Sequence, residues 1–436
     1  MLAVIMAGGQ GTRISERFPD IPKPLIPIDG VPVLQREIET LRDQGITEIL
    51  LTVSHLSFQI KNVLRDGTDL GVHLSYYTEE TPMGNTGALF KIRDRLKEPF
   101  LLLTADNVFD VDLRRMFEFH RQKKALVTIV ARPTSHPFDC GLLVTEEDGS
   151  ISKWYVSGDP RPRYFRNRIN AGIHLIDPAV LDMIGVDGEK VGTLDRETGD
   201  YVKVDLDRNL LRPLCETHRM YCFYTLEYCR DMGTPERYES VCRDFSEGVF
   251  EARKRGRKKR VIFLPMNAIA RVSDDGSAEL WQDASEAIRM INRSRYYAAA
   301  FHLPEMPPKD GRDILYAQVE TMLAENGAFL DGLFDGRKVN PEQSGAASAG
   351  EESKVLKNWL KHRAERELDV DLKHSWMIAA TDAEVRAGRE AGCRIAMLPF
   401  SGEEALKNGS IGVSIRTTVS MILRDPARSV SYVTGF

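Results

Sequence analysis

Two groups of residues in this sequence have the types and spacing to handle a polyanion. One is Gly8-Gly9-Gln10-Gly11-Thr12-Arg13, which follows an apolar run from Leu2 to Ala7. The other is Pro22-Lys23-Pro24, ten residues on. A strand that ends in clustered glycines leaves backbone N–H groups free to face an anion, and glycine lets phosphate oxygens approach closely. Arg13 and Lys23 add fixed positive charge from two sides. The combination suits a triphosphate, whose charge must be neutralised before a nucleophile can reach phosphorus. A Walker loop is excluded, because no Lys-Ser or Lys-Thr follows at the right spacing. A dinucleotide fingerprint fits poorly, because Ile14 stands where the third glycine belongs.

The elements that must position these groups alternate between strand and helix. Ile49 to Val53, Pro99 to Leu103 and Leu126 to Ala131 are compact apolar runs. Val33 to Gln44 carries Leu34, Ile38 and Leu41 at helical spacing, and Ala88 to Leu96 is a second helix candidate. Such alternation predicts a mostly parallel sheet covered by helices. Ligands of these sheets sit at the carboxyl ends of strands, where Gly8 and Asp106 both fall. By its residue type alone, Asp106 is equally a turn or helix-capping aspartate.

The full string AGGQGTR followed by PKP resembles the signature of the sugar-1-phosphate nucleotidylyltransferases, and Asp231-Met232-Gly233-Thr234-Pro235-Glu236-Arg237-Tyr238 resembles the D-x-G-T-P-x-x-Y ending of that family's domain. The resemblance implies an N-terminal Rossmann-like α/β domain with a mixed sheet and helices on both faces. It implies nucleotide binding by Gly8, Gly9, Gly11, Thr12, Arg13 and Gly84, and catalysis by Arg13, Lys23 and Asp106. It also implies that Asp106 and Asp231 hold magnesium, a hard cation suited to two carboxylates, water and phosphate oxygens. Pro82-Met83-Gly84-Asn85-Thr86-Gly87-Ala88 resembles the family's base-reading loop. Gly141 and Asn170, the latter in Asn170-Ala171-Gly172, match residues that contact the sugar. The implied partners are a nucleoside triphosphate and a sugar-1-phosphate. GTP with a manno-configured acceptor, a heptose-1-phosphate or otherwise mannose-1-phosphate, is the expected pair.

One position departs from that pattern. The family carries Glu-Lys-Pro on the sugar side, with the lysine on the sugar phosphate. The corresponding residues here are Ser157 and Gly158. Lys153, Arg161, Arg163, Arg166 and Arg168 are the candidates to replace the lost cation, since an arginine fork also holds phosphate. The departure leaves open an alternative, a weak or inactive regulatory subunit that binds nucleotide or sugar phosphate.

The later part of the chain reads as a second α/β domain. Val261 to Leu264, Tyr296 to Phe301, Ser375 to Ala380 and Arg394 to Leu398 are strand candidates. Ala284 to Asn292, Gly311 to Asn326, Glu352 to Glu367 and Asp382 to Ala391 are helix candidates. Ser375-Trp376-Met377-Ile378 and Ala387 to Arg394 resemble the haloacid-dehalogenase superfamily, and within it the heptose-bisphosphate phosphatases. The expected Asp-x-Asp is replaced by Pro265-Met266-Asn267, and proline cannot attack phosphorus. Asp382 stands near the expected magnesium position, and Arg337-Lys338 near the expected phosphate loop. The resemblance therefore implies a degenerate, inactive phosphatase domain. The expected division is residues 1–250, a basic solvated linker at 251–260, the second domain at 261–402, and an extension at 403–436. Ile415 to Leu423 in that extension reads as an amphipathic helix.

Composition bounds the rest. The chain has 436 residues, a formal net charge of -5 and a pI near 6.1, which gives no global pull toward nucleic acid or anionic membrane. No apolar run reaches the ~20 residues of a membrane span. The N-terminus lacks the basic segment and cleavage site of a signal peptide. Six scattered cysteines form no C-x-x-C pair, so inert thiols in a reducing cytoplasm are expected. A homo-oligomer is compatible with all of this.

Overall fold

The computed structural model describes the chain except residues 10, 55–56, 197, 274–276, 303–308, 336–348, 399–414 and 425–436. Arg337-Lys338 lies outside the described residues, as does most of the 403–436 extension. The chain forms two compact units. One comprises Met1–Arg132, Asp139–Pro160 and Arg168–Arg255; the other comprises Pro133–Phe138, Arg161–Asn167 and Gly256–Phe436. Two short stretches from the first 250 residues thus cluster with the second unit.

The first unit begins with strand β1 (Leu2–Met6) and a single turn, α1 (Thr12–Ser15). Helix α2 (Val33–Arg42) and strands β2 (Glu48–Val53) and β3 (His73–Thr78) follow. Next come the turn α3 (Ala88–Lys91), β4 (Phe100–Thr104), the short β5 (Asn107–Phe109) and α4 (Leu113–Lys123). The unit closes with β6 (Val127–Arg132), β7 (Leu142–Thr145), β8 (Ile151–Tyr155), β9 (Ile169–Ile176), β10 (Met220–Tyr224), β11 (Cys229–Asp231) and α5 (Pro235–Ser246).

Among the described residues these strands build a nine-stranded sheet with the path β8-β7-β9-β4-β1-β2-β3, in which β6 pairs with β9 and β10 with β6. β1 runs parallel to both β2 and β4, while β9 is antiparallel to β4 and β6. The period-two pleat explains why the strands are apolar throughout. Ala3, Ile5, Leu101 and Leu103 face α2 and α4, whereas Val4, Leu50 and Leu102 face the other side with Leu89 of α3 and Trp154. The mixed sheet with apolar residues on both faces matches the sequence expectation.

α2 buries Leu34, Ile38 and Leu41, and with them Glu37. Full burial of each aliphatic side chain contributes about 1.5–3 kcal/mol, so three of them offset the burial of one carboxyl group.

The second unit contains β12 (Arg260–Pro265), α6 (Ala284–Asn292), β13 (Tyr296–His302), α7 (Lys309–Glu325) and β14 (Gly332–Asp335). It continues with α8 (Ala349–Trp359), β15 (Trp376–Ala379), α9 (Asp382–Ala391), β16 (Arg394–Met397) and α10 (Ile415–Arg424). Its strands form a parallel sheet in the order β14-β13-β12-β15-β16. α10 packs Ile415, Val419 and Ile422 into the same cluster as Ile288 and Ile291 of α6, and Arg416 Nε lies 3.0 Å from Glu286. Among the described residues no helix is long and apolar enough to cross a membrane.

Three expectations change. The helix read over 88–96 is one turn followed by a tight turn at Arg93–Arg95, because the preceding loop, not a helix, satisfies its backbone. The long helix read over 352–367 changes pitch after Trp359 and winds more widely over Leu360–Glu367. The basic run 253–260 is not uniformly solvated. Arg253 and Lys259 are buried, Arg255 pairs with Asp110, and Lys259 donates its N–H to the Asp369 carbonyl at 3.0 Å.

The loop before α3 is stitched to Val204. The Val204 N–H donates to the Met83 carbonyl at 2.8 Å, and the Thr86 N–H donates to the Val204 carbonyl at 3.2 Å. Between them Gly84 has φ +81°, and a Cβ there would meet the Val204 carbonyl oxygen at 2.4 Å. Replacement by alanine combines left-handed strain with a clash against backbone, which cannot rotate away. Gly84→Ala should therefore lower the unfolding free energy by about 2–4 kcal/mol, measured by urea denaturation. A variant as stable as its parent would contradict this account of the loop.

Candidate functional site

A cleft of about 670 Å³ opens in the first unit at the carboxyl ends of β1 and β4. Parallel pairing sets its floor. Met6 aligns with Thr104, so the turn after β1 and the residues after β4 leave the sheet at the same edge. Gly8, Gly9, Gly11 and Arg13 line it from one strand, and Ala105 and Asp106 from the other. Gly11 adopts φ +60° and presses on the Lys23 stem, where a Cβ would come within 2.9 Å of Lys23 Cβ. That close approach brings Lys23 into the cleft, where its ammonium donates to Asp106 Oδ2. Thr12 opens α1 with its side chain exposed and does not line the cleft.

Asp231 arrives from the far end of the unit. β11 pairs antiparallel with β5, aligning Asp231 with Asn107, and the Met232 N–H donates to the Asp106 carbonyl at 3.0 Å. Thr234 caps α5 by accepting the Arg237 N–H, with Pro235 in the first helical position. This start aims Arg237 back at the cleft. Its Nη1 donates to Asp231 Oδ1 at 2.8 Å, and its Nη2 to Asp139. Arg132 Nη2 lies 3.8 Å from Asp231 Oδ2, and the Gly233 N–H donates to Asp231 Oδ1 at 3.1 Å. Asp106 and Asp231 thus present hard oxygen donors to one cleft, a donor set that fits magnesium.

The other expected residues also converge here. Gly84, Gly141 and Asn170 line the cleft, and the Asn170 N–H donates to the Gly141 carbonyl at 3.1 Å. Asn170 Oδ1 accepts the Gly172 N–H at 2.9 Å, and its Nδ2 lies 3.5 Å from Asp207 Oδ1. Burial pushes the Asp207 carboxyl up to about 6 and Glu79, also on the cleft wall, up to about 7. Desolvation lowers His174, buried against Asn170, to about 4.

The five cations expected to replace the missing lysine do not reach the cleft. Arg166 lies 3.0 Å from Glu320, Arg161 donates to the Pro137 carbonyl at 2.6 Å, and Arg163 lies 5.3 Å over the Tyr164 ring. Lys153 sits 4.7 Å over the Tyr155 ring and Arg168 5.2 Å over the Tyr224 ring. Lys153 is the central residue of β8, and Arg168 immediately precedes β9.

Sequence reasoning missed Arg132, Arg208, Arg237, Glu79, Asp207 and Glu37. Arg237 was within reach, since it lies inside the quoted Asp231–Tyr238 motif. Glu37 had a signal too, an acid on the apolar face of α2. Its Oε1 accepts the Asn107 N–H at 2.9 Å, directly behind Asp106, while its buried Oε2 has no hydrogen-bond partner among the described residues. Arg208 and Asp207 carried no local signal.

In the second unit, β12 ends at Pro265, Met266 is buried, and the Asn267 carbonyl accepts the Trp281 indole N–H at 2.7 Å. Asp382 opens α9 behind the Thr381 cap, whose capping box uses Glu384.

A family model described as nucleotidyl transferase matches residues 2–247, the span that contains the whole cleft. Over 211 residues the chain is 31% identical to a probable mannose-1-phosphate guanylyltransferase 3 of Oryza sativa subsp. japonica, covering 47% of this chain and 57% of that protein. Over 201 residues it is 33% identical to a UTP–glucose-1-phosphate uridylyltransferase of Synechocystis, covering 42% and 51%. A solved structure of a putative glucose-1-phosphate thymidylyltransferase from Bacillus anthracis, in complex with a sucrose, matches with 19% identity and a TM-score of 0.47, covering 56% of this chain and 94% of that one. The chain spans about half the length of the curated relatives it matches first.

Glu37 yields a pH prediction. Burial, and then the neighbouring Asp106 charge, hold its carboxyl well above the ordinary value of 4.5. The folded chain therefore binds this proton more tightly than the unfolded chain. The stabilisation is complete below about 4.5 and declines as pH rises toward the folded-state value. Glu37→Gln keeps an acceptor for the Asn107 N–H and has no proton to lose. Its stability relative to the parent should increase between pH 5 and pH 8, measured by denaturation midpoints. A difference that stays constant with pH would show that Glu37 does not titrate in this way.

Proposed function

The chain belongs to the nucleotidyl transferase family over residues 2–247, and on that premise we propose that it transfers a nucleotidyl group from a nucleoside triphosphate to a sugar-1-phosphate and releases pyrophosphate. The observation that carries this reading is the meeting of the Gly8–Arg13 turn, Lys23, Asp106 and Asp231 in one cleft. Oxygen of the sugar phosphate attacks the α-phosphorus in line. A new P–O bond forms to that phosphorus, and the bond to the β-phosphate oxygen breaks. The glycine turn lets the triphosphate approach the backbone, while Arg13 and Lys23 neutralise it. The chain acts by positioning and charge, with no covalent intermediate. Asp106 and Asp231 are the residues that would hold magnesium, which supplies further neutralisation of phosphate charge when bound.

GTP is the proposed donor and a manno-configured sugar-1-phosphate the proposed acceptor. The names of the rice and other relatives support mannose-1-phosphate and guanylyl transfer; the uridylyl name in the same group makes base choice a matter for assay. A heptose-1-phosphate is the second proposed acceptor, supported by the resemblance of residues 261–400 to heptose-bisphosphate phosphatases. That second unit is proposed to be catalytically inactive, because the tip of β12 offers no carboxylate nucleophile.

The replacement of Glu-Lys by Ser157 and Gly158 favours a second reading, a subunit that binds nucleotide without turnover. Pyrophosphate release measured with four nucleotides against a panel of sugar-1-phosphates separates the two. Nucleotide binding with no turnover on the whole panel would support the subunit. Asp106→Asn should lower turnover by roughly two orders of magnitude or more, as expected for loss of a charge stabiliser. Undiminished pyrophosphate release would remove Asp106 from the machinery. The intact chain should also release no inorganic phosphate from a heptose bisphosphate, and phosphate release above background would overturn the inactive assignment.

A further inference from the structure

We propose that Arg208 is the cation that grips the phosphate of the acceptor sugar phosphate, and so sets the affinity of the cleft for that substrate. The inference rests on the reading above that such a substrate enters the cleft.

Hydrogen bonding and place in the cleft single out Arg208. Five cationic side chains line the cleft: Arg13, Lys23, Arg132, Arg208 and Arg237. All five lie within 4 Å of a carboxylate, and in four of them it belongs to Asp106, Asp139 or Asp231. Lys23 sits on Asp106, Arg237 is shared by Asp231 and Asp139, Arg13 lies 3.6 Å from Asp139, and Arg132 lies 3.8 Å from Asp231. These belong to the end of the cleft that holds the glycine turn and both candidate metal ligands.

Arg208 is held differently. Its Nη2 donates to a neutral group, the Ser157 carbonyl, at 2.8 Å. Its ion-pair carboxylate is Asp159, 3.8 Å from Nη1, the same separation as Arg132 from Asp231. Asp159 is already engaged. Its Oδ2 lies 3.1 Å from Arg212 Nη1 and accepts the Val156 N–H at 3.0 Å. Asp205 is likewise spent, since it accepts the Arg208 backbone N–H at 2.8 Å and lies 3.2 Å from the Asn85 amide. Asp207 is turned toward Asn170.

The position is also right for an acceptor. Ser157 and Arg208 line the same cleft as Gly141, Asn170 and Asp207, and a Cβ on Gly141 would come within 3.1 Å of Asp207 Oδ2. Gly158 has no side chain to fill the rim, and Arg208 Nη2 comes to 4.0 Å from where one would begin. A guanidinium anchored by one N–H to a carbonyl keeps its other donors for a second, anionic partner, and its planar fork suits two phosphate oxygens. Arg208 is half exposed, so a ligand reaches it without rearrangement of the core.

The test compares the full-length chain with Arg208→Gln and Arg208→Lys. Pyrophosphate release is measured with GTP and mannose-1-phosphate, each varied in turn. Arg208→Gln should raise KM for the sugar phosphate roughly 10- to 100-fold, the range for loss of charged hydrogen bonds, with the KM for nucleotide changed less than about twofold. Arg208→Lys should recover part of the loss. An unchanged sugar-phosphate KM, or an equal rise in both KM values, would overturn the assignment. If the parent chain proves unable to turn over any substrate pair, the reaction reading fails and this inference is still tested by calorimetric titration with mannose-1-phosphate. Weaker binding to Arg208→Gln than to the parent then supports it, and equal binding, or none to the parent, sinks it. Matching melting temperatures of the three proteins exclude a folding defect as the cause.

Discussion

The three-residue antiparallel ladder between Asn107–Phe109 and Cys229–Asp231 joins two segments that are far apart in the chain and sets the register of the cleft. Asp106 stands one residue before this ladder, and Asp231 closes it. The parallel pairing of β1 with β4 supplies the other half of the constraint, because it delivers the glycine turn and Asp106 to the same edge. A slip of one residue in either pairing would turn its side chains to the opposite face.

Around that frame the cleft is organised as matched charges. Lys23 pairs with Asp106, and Arg237 and Arg132 with Asp231, at the end of the cleft that holds both aspartates. An arriving polyanion and its counter-cation would exchange partners with these pairs rather than neutralise bare charges. The carboxyl of Glu37 sits behind them, held by burial well above its ordinary value, and its Oε1 accepts the Asn107 N–H. Arg208 stands apart in that its short hydrogen bond goes to a neutral group, the Ser157 carbonyl, while its ion pair with Asp159 is at 3.8 Å.

Local pattern was readable where one rule dominates. α6 and α9 have the bounds read from the sequence, because Ile288 and Ile291, or Ala387 and Ala391, must share a buried face. The sequence failed where two rules compete. Residues 88–96 have helical spacing, yet Val204 takes the hydrogen bonds of the preceding loop and the chain turns instead. The basic run 253–260 reads as solvated by composition. Arg255 is nevertheless drawn to Asp110, and Lys259 is buried by backbone pairing with Asp369 and Asp371.

The same division holds for the site. By itself the sequence determined the chemistry on offer: a glycine turn with Arg13 and Lys23, an aspartate at the tip of an apolar strand, and another in a Thr-Pro helix start. Those are local features, set by backbone freedom, strand burial and capping, so they survive without knowledge of the fold. Only the tertiary structure decided which charges are already paired. Arg161, Arg163 and Arg166 follow Ser157 within nine residues yet belong to the other compact unit. Arg208, distant in sequence, is carried to the Ser157 carbonyl by the short helical segment Leu206–Leu211. Ion pairing depends on distance through space and on what else each carboxylate touches, and neither quantity is written in the order of residues.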